Sequence, residues 1–152
     1  MTVNVNIERV ATAISGLSIT GIKIYDLDEI PVNAMMVTPC LFPDPAGFVS
    51  GINPQIETYG TAGNEKITLN YSLNYVYAHS PLGQNIQMNI WKPFIENSAE
   101  ILRVFLENDT VDGCQDLRVS ETSSFGVVVD AAGNSYTGCV FTLNIQQYCE
   151  VV

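Results

Sequence analysis

Apolar and polar side chains alternate along one unusually long stretch of the chain, residues 66–79. Its odd positions carry apolar or tyrosine side chains, namely Ile67, Leu69, Tyr71, Leu73, Tyr75 and Tyr77. Its even positions as far as Asn74 are polar. Side chains of a strand point alternately to its two faces, and this alternation outlasts an average strand of about 5–6 residues. The pattern predicts the central strand of an antiparallel sheet, with one apolar, tyrosine-rich face and one small, polar face.

Two other stretches have the three-to-four-residue spacing of amphipathic helices. The first covers residues 2–16, and Gly16 suits its end. The second is strongest over Pro93–Asn108, where Pro93 either breaks or kinks a longer helical region or lies in the first turn of a new helix. Shorter alternating stretches predict the remaining strands, which are Gly21–Tyr25, Met35–Phe42, Leu117–Thr122 and a hairpin of Phe125–Val129 with Tyr136–Tyr148. The order predicts an α+β fold, a mostly antiparallel sheet with two main helices packed on one face.

Residues 43–65 are rich in Gly, Pro, Asn and Thr and predict a long loop. Loops of this length are uncommon unless they serve a function. This one carries apolar side chains, so we name four candidate contacts with other subunits or partners: Phe48, Ile52, Ile56 and Tyr59. The alternative is that the loop folds back and buries these side chains within its own domain.

The composition bounds the possible functions. The 152 residues suffice for one domain, which we expect to span 1–152. Only 14% of them are charged, which favours a surface partly covered by other proteins. The net charge is −10 and the six cations are scattered singly, so we expect no grip on nucleic acid and no attraction to an anionic membrane. No membrane span and no signal peptide are visible in the sequence.

Candidate chemistry is sparse. The four cysteines form no C-x-x-C pair, and His79 is the sole histidine, so we expect reduced core thiols, no metal site and no cofactor. The carboxylates of Asp26, Asp28 and Glu29 lack the spacing of a calcium loop, as do those at 109, 112 and 116. No G-x-S-x-G elbow accompanies His79, although a thiol–imidazole pair with Cys114 stays open. We therefore expect a protein that is not an enzyme.

The order of these elements resembles the tail terminator group among the small tail-completion proteins of long-tailed bacteriophages. The resemblance extends over most of the chain. It is carried by the helix Ile7–Ile14, the strand ending in Asp26–Pro31, the element Pro39–Pro43, the tyrosine-rich strand 67–77, the helix 93–108 and the hairpin 127–138.

The resemblance implies a structural virion protein that forms a homo-oligomeric ring, expected to be a hexamer. Such a ring caps the tail tube, stops its polymerisation and joins the tail to the head. Its implied partners are copies of itself, the tail tube protein and a head-completion or neck protein, with DNA passing nearby but not gripped. It is assembled in the host cytoplasm and located in the tail or neck of the virion. The alternatives are a head-closure, neck or other minor tail protein, a small-molecule-binding or enzymatic α+β domain that uses the tyrosine face and His79, or a housekeeping dimeric module that binds other proteins.

Overall fold

The computed structural model describes residues 6–44, 53–58, 65–82 and 90–150, excluding the side chains of 53–58, 65–67 and 149–150. These residues form two α-helices, α1 (Ile7–Ser15) and α2 (Trp91–Glu107), and a short 3-10 helix, Leu27–Glu29. They also form seven strands, which are β1 (Lys23–Ile24), β2 (Cys40–Pro43), β3 (Asn53–Thr58), β4 (Glu65–Pro81), β5 (Asp116–Thr122), β6 (Gly126–Val129) and β7 (Ser135–Glu150).

The alternating stretch forms β4, the longest strand, at the centre of one sheet. The sheet order is β1-β2-β4-β7-β5, with β3 paired along a second part of β4 and β6 along a second part of β7. β4 and β7 pair antiparallel from Lys66 with Glu150 to Pro81 with Tyr136, interrupted by a bulge between Ala78 and Ser80. Of the described pairings, only β1 with β2 is parallel. The predicted α+β class with a mostly antiparallel sheet is therefore confirmed.

Both helices cover the same face of the sheet, as predicted. The side chains at odd positions 69–77 of β4 and 139–145 of β7 point to this face and form one buried cluster with both helices. Its members include Val10 and Ile14 from α1, Phe94, Ile101, Val104 and Phe105 from α2, and Leu73, Tyr75, Phe141, Leu143 and Ile145 from the sheet. The spacing of the helical members follows one stripe of each helix, so burial of that stripe stabilises the layer.

A second, smaller buried cluster lies on the opposite face. It consists of Tyr25, Met36, Cys40, Phe42, Val76, Ala78, Val128 and Tyr136. The prediction of a small, polar face holds at Asn70, Ser72 and Asn74, which are partly exposed, whereas Val76 and Ala78 are apolar and buried. Thr68 is polar as predicted, but it is also buried. The sheet is thus covered on both faces at the end where the smaller cluster lies.

The predicted long loop over 43–65 is wrong in its middle. Residues Asn53–Thr58 form β3, which pairs antiparallel with β4 from Asn53 opposite Asn70 to Thr58 opposite Glu65. A strand here forms hydrogen bonds with the part of the β4 edge that β2 does not reach. This pairing is favourable because unpaired backbone groups are costly inside a fold. The stretch contains Pro54, which is compatible with a strand paired on one side only.

The predicted strand Met35–Phe42 forms only over its last residues. The amide of Met36 donates to the Tyr136 hydroxyl at 2.9 Å, and the amide of Val37 donates to the Tyr25 hydroxyl at 2.9 Å. Tyrosine hydroxyls thus replace the carbonyls of a neighbouring strand at these two positions. The chain joins the sheet only after Pro39, where Cys40 pairs opposite Ala78.

Candidate functional site

His79 lies at the bulge of β4, beside the first turn of α2. Asn97 donates from its Nδ2 to the Tyr77 hydroxyl at 2.9 Å, which leaves that hydroxyl free to donate to His79 Nδ1 at 2.5 Å. Burial lowers the pKa of His79. Its ring also makes edge contacts with Phe94 and Tyr77, at 5.6 and 5.7 Å between centroids. At neutral pH these features hold an uncharged imidazole with its proton on Nε2.

The neighbours of His79 supply no nucleophile within the part of the chain that the structure describes. Ser80 Oγ lies 2.9 Å from Thr137 Oγ1 and is occupied there. Cys114 lies just before β5. The first residue of β5, Asp116, pairs with Gln146, which pairs in turn with Asn70 of β4. This part of β4 is distant from His79. The thiol–imidazole pair left open by the sequence is therefore not formed. The described contacts of His79 are the hydrogen bond with Tyr77 and ring contacts with Phe94 and Tyr77.

The tyrosine face is core and offers no open surface to a ligand. Tyr71, Tyr75 and Tyr77 are at most 3% exposed and lie beneath the helices. Of these, the Tyr75 hydroxyl has no hydrogen-bond partner among the described residues. Burial raises the pKa of Tyr75, so its phenol stays protonated.

Two tyrosine-to-phenylalanine substitutions are expected to have opposite effects on stability. Tyr75→Phe removes a buried hydroxyl that has no described partner, so the free energy of unfolding should stay the same or rise by about 1 kcal/mol. Tyr77→Phe removes the group that joins Asn97 to His79 and should lower it by about 1–2 kcal/mol. Urea denaturation at pH 7 measures both. If Tyr75→Phe lowered the free energy of unfolding as much as Tyr77→Phe, it would contradict the conclusion that the Tyr75 hydroxyl has no hydrogen-bond partner among the described residues.

The acidic residues Asp26, Asp28 and Glu29 do come together, with one carboxylate oxygen of each within 4.8 Å of the others. Two of them cap the 3-10 helix: Asp26 Oδ1 accepts from the Leu27 amide at 2.7 Å, and Glu29 Oε1 accepts from the Asp26 amide at 3.2 Å. Asp26 Oδ2 also accepts from Thr12 Oγ1 at 2.8 Å. These contacts use the carboxylates as helix caps.

The second acidic set does not converge. Asp112 forms a two-point ion pair with Arg9, at 2.7 and 2.9 Å, and Asp116 pairs with Arg118 at 2.9 Å. The hydrogen bond from Arg9 holds the pKa of Asp112 below its usual value. These carboxylates are separate surface groups in the described structure.

The cysteines with described side chains are buried free thiols. They are Cys40, Cys114 and Cys139. Burial raises the pKa of each thiol, that of Cys40 to about 12. Because the thiolate is the reactive form, these cysteines are poor nucleophiles and metal ligands as they stand.

The candidate contacts lie largely outside the described residues. Phe48, Ile52 and Tyr59 are among the residues that the structure leaves undescribed. Ile56 lies on β3, where its backbone pairs opposite Ile67 and its side chain is not described. Their role in assembly stays a prediction.

Among the exposed apolar side chains of the described residues, the sequence analysis missed two groups that lie on opposite faces of the sheet. The first group is Val32, Met35 and Val37, which flank Met36 on the face of the smaller cluster. The second group is Trp91, Ile95 and Leu106 on α2, each at least 53% exposed, with the Trp91 ring 4.6 Å from that of Phe125. For Val32, Met35 and Val37, no periodic pattern in the sequence separates exposed from buried side chains, because their exposure depends on what packs beside them.

Asp130 anchors the hairpin loop between β6 and β7 to the first of these groups. It is 7% exposed and accepts hydrogen bonds from the amides of Ala132 and Asn134, each at 2.9 Å, and from the Tyr136 hydroxyl at 2.7 Å. Burial raises the pKa of Asp130, but these bonds outweigh burial and hold it below its usual value. Tyr136 in turn accepts from Met36, so the carboxylate fixes the segment that carries Val32, Met35 and Val37.

The polar half of the open face forms a shallow groove of about 480 Å³ over β4, β5 and β7. Its polar lining includes Asn70, Ser72, Asn144, Gln146 and Arg118. Ser72 donates to Asn144 at 3.2 Å, and Arg118 is held by Asp116. The groove therefore presents amides and hydroxyls with little net charge.

Comparison with known proteins adds no family. No protein-family model matches the chain, and no curated protein matches it. Among the described residues, no helix combines the length and apolar character needed to cross a membrane.

Proposed function

We propose that this chain is a structural subunit of a bacteriophage tail, a terminator that assembles into a ring on the end of the tail tube. In this role the ring, expected to be a hexamer, stops tube polymerisation and provides the surface to which the head joins. The observation that carries the proposal is the presence of two separate exposed apolar groups on opposite faces of one small sheet. The resemblance of the element order to tail terminators supplies the specific role.

Two different apolar surfaces are what a ring requires. A head-to-tail interface joins unlike patches on neighbouring subunits and closes when the rotation completes a circle. Val32, Met35 and Val37 offer one such patch, and Trp91, Ile95 and Leu106 offer another. Exposed apolar clusters of this kind mark sites of protein contact. In a virion, remaining apolar surface would meet the tube and the neck.

The charge distribution is compatible with a ring through which DNA passes without being bound. Arg9, Lys92, Arg103 and Arg118 each lie within 4.0 Å of a carboxylate on the described surface. Paired cations are poorly placed to displace counterions from phosphates. The net charge of −10 repels the DNA backbone, so DNA would pass such a ring without being held.

Tube capping tests the proposal directly. The tail tube protein of the same phage is polymerised with and without this chain, and tube lengths are measured by negative-stain electron microscopy. We expect shorter tubes with a ring at one end. Ile95→Asp should abolish capping, whereas Ile95→Val, which keeps the apolar surface, should not. Both variants should melt like the wild type, because Ile95 is 62% exposed.

Unchanged tube lengths and no binding to tube ends would overturn the proposal. Binding to DNA-filled heads without tube capping would instead favour the head-closure or neck role.

A further inference from the structure

The start of α2 lacks the local groups that commonly stabilise a helix N-terminus. Ile90 precedes it without a side-chain cap, and the first turn contains no acidic residue. The first two turns are attached to the rest of the fold by Phe94, which is 7% exposed, and by Asn97, whose Nδ2 donates to the Tyr77 hydroxyl on β4. The position of this end of α2 therefore depends on contacts with distant segments.

The hydrogen bond that continues from Tyr77 to His79 requires a neutral imidazole. A protonated Nδ1 carries a hydrogen and cannot accept the bond that Tyr77 donates. The Tyr77 oxygen would then face two donors, Nδ1 and Asn97 Nδ2, and its own hydrogen would lose its acceptor. Because Tyr77 is 0% exposed, water cannot replace that acceptor. Relief requires the imidazole ring or the Asn97 amide to rotate.

Three aromatic contacts connect the imidazole to the first residue of α2. Between ring centroids, His79 lies 5.6 Å from Phe94, Phe94 lies 4.6 Å from Phe125, and Phe125 lies 4.6 Å from Trp91. A rotation of the imidazole therefore displaces rings that pack in series up to the surface. Trp91 belongs to the second exposed apolar group, so that surface changes with it.

The charged and titratable groups around the imidazole leave its protonation uncompensated. The first two turns of α2 carry Lys92 and Glu96, which are exposed and lie 4.0 Å from each other. Tyr77 on β4 and Cys139 on β7 stay uncharged in mild acid, because burial raises the pKa of each. The segment Ser123–Val129 carries no charge. None of the described ion pairs involves the imidazole, so no described carboxylate stabilises an imidazolium.

We propose that Asn97, Tyr77 and His79 form a pH-sensitive switch at the start of α2. With a neutral imidazole the first turns of α2 stay packed on β4, and protonation in mild acid loosens them and alters the apolar surface around Trp91. The switch is a property of the fold and does not depend on the tail role, so tube capping neither supports nor contradicts it.

The direction of the pH dependence follows from the contacts. Burial lowers the pKa of His79, and the bond donated by Tyr77 acts in the same direction because it favours the neutral form. The folded-state pKa therefore lies below the ordinary value of about 6.5. The contribution of the network to stability is complete above about pH 6.5 and is lost as the pH falls through the folded-state pKa.

The chain contains one histidine and one tryptophan, so both ends of the network can be followed without ambiguity. The His79 Cε1 proton is titrated by NMR from about pH 8 to about pH 4.5, and Trp91 emission is recorded over the same range. We expect the emission to change with the midpoint of the His79 titration. Tyr77→Phe removes the donated bond and should raise the His79 pKa by about 0.5–1 unit, a 3–10-fold gain in proton affinity.

Two further variants assign the emission change to the imidazole. His79→Gln keeps an acceptor for Tyr77 but cannot titrate, so the change should disappear. Glu96→Gln, which removes a carboxylate from the same turns of α2, is the matched control and should retain it. If His79→Gln does not fold, the coincidence of the two wild-type midpoints and the shift on Tyr77→Phe decide the question.

Constant Trp91 emission while His79 titrates would overturn the switch, as would a His79 pKa at or above its ordinary value. So would an unshifted pKa in Tyr77→Phe, or an emission change that survives His79→Gln or is lost in Glu96→Gln.

Discussion

Replacing Gly138 by alanine is expected to lower the free energy of unfolding by about 4 kcal/mol or more, or to prevent folding. A Cβ at this position would lie 1.8 Å from the Tyr77 carbonyl oxygen and 2.9 Å from its carbonyl carbon. Both are backbone atoms of β4, so the clash cannot be relieved by a side-chain rotation. Relief requires β4 and β7 to separate next to the bulge at His79, which breaks the longest ladder of the sheet.

Gly126→Ala is the matched control for that substitution. Gly126 lies directly opposite Gly138 on β6, and a Cβ there would meet nothing within 4 Å. Its effect should stay within about 0.5 kcal/mol, or be slightly stabilising because alanine restricts the unfolded chain. Urea denaturation followed by circular dichroism measures both variants. Equal stabilities would show that the two strands are further apart than the structure has them.

Phe105→Ala is expected to cost about 3–5 kcal/mol. Phe105 is 2% exposed on α2, with its ring 5.9 Å from that of Tyr75 and 6.1 Å from that of Phe141. Its removal leaves a cavity between α2 and the two central strands. The loss combines the transfer free energy of the ring with the cost of that cavity, since a sheet and a helix collapse only partly around a deletion.

The neighbouring residue supplies the control. Leu106 is 64% exposed, so Leu106→Ala should change the free energy of unfolding by no more than about 0.5 kcal/mol. Guanidinium denaturation of the two variants under conditions that keep the wild type monomeric gives the comparison. A larger loss from Leu106 than from Phe105 would mean that α2 presents a different stripe to the sheet.

The parts of the fold that the sequence predicts are those with a long, regular pattern. β4 and β7 alternate over many residues, and α2 repeats its apolar stripe over four turns, so local periodicity alone identifies their buried faces. The hairpin loop at 130–134 was equally visible, because Asp130 and Gly133 have the side-chain and backbone properties that its turn requires. Gly133 does adopt a positive φ of 87°.

The parts that the sequence mispredicted depend on contacts between distant segments. β3 is rich in polar residues and contains Pro54, and it becomes a strand because β4 presents it with an open edge. Met36 and Val37 leave the sheet because the hydroxyls of Tyr136 and Tyr25 accept their amide protons across 100 and 12 residues of chain. The intrinsic preference of a residue for helix or strand carries no information about partners that are distant in sequence, so tertiary contacts override it.

The features of the candidate site also separate into those that the sequence predicts and those that only the fold reveals. The low charge and the absence of a catalytic motif from the sequence favour an assembly protein, and the residues proposed for contact from the 43–65 segment remain a prediction. The two exposed apolar groups became visible only in the fold.

By itself, the sequence determined the class of the protein: an acidic α+β domain with a long central strand, two amphipathic helices and no recognisable reactive motif. The tertiary structure decided which apolar side chains stay exposed and that the tyrosines of β4 are buried beneath the helices. The physical reason is that periodicity reports the face on which a side chain lies. Exposure and pairing depend on whatever segment of the chain, near or distant, comes to cover that face.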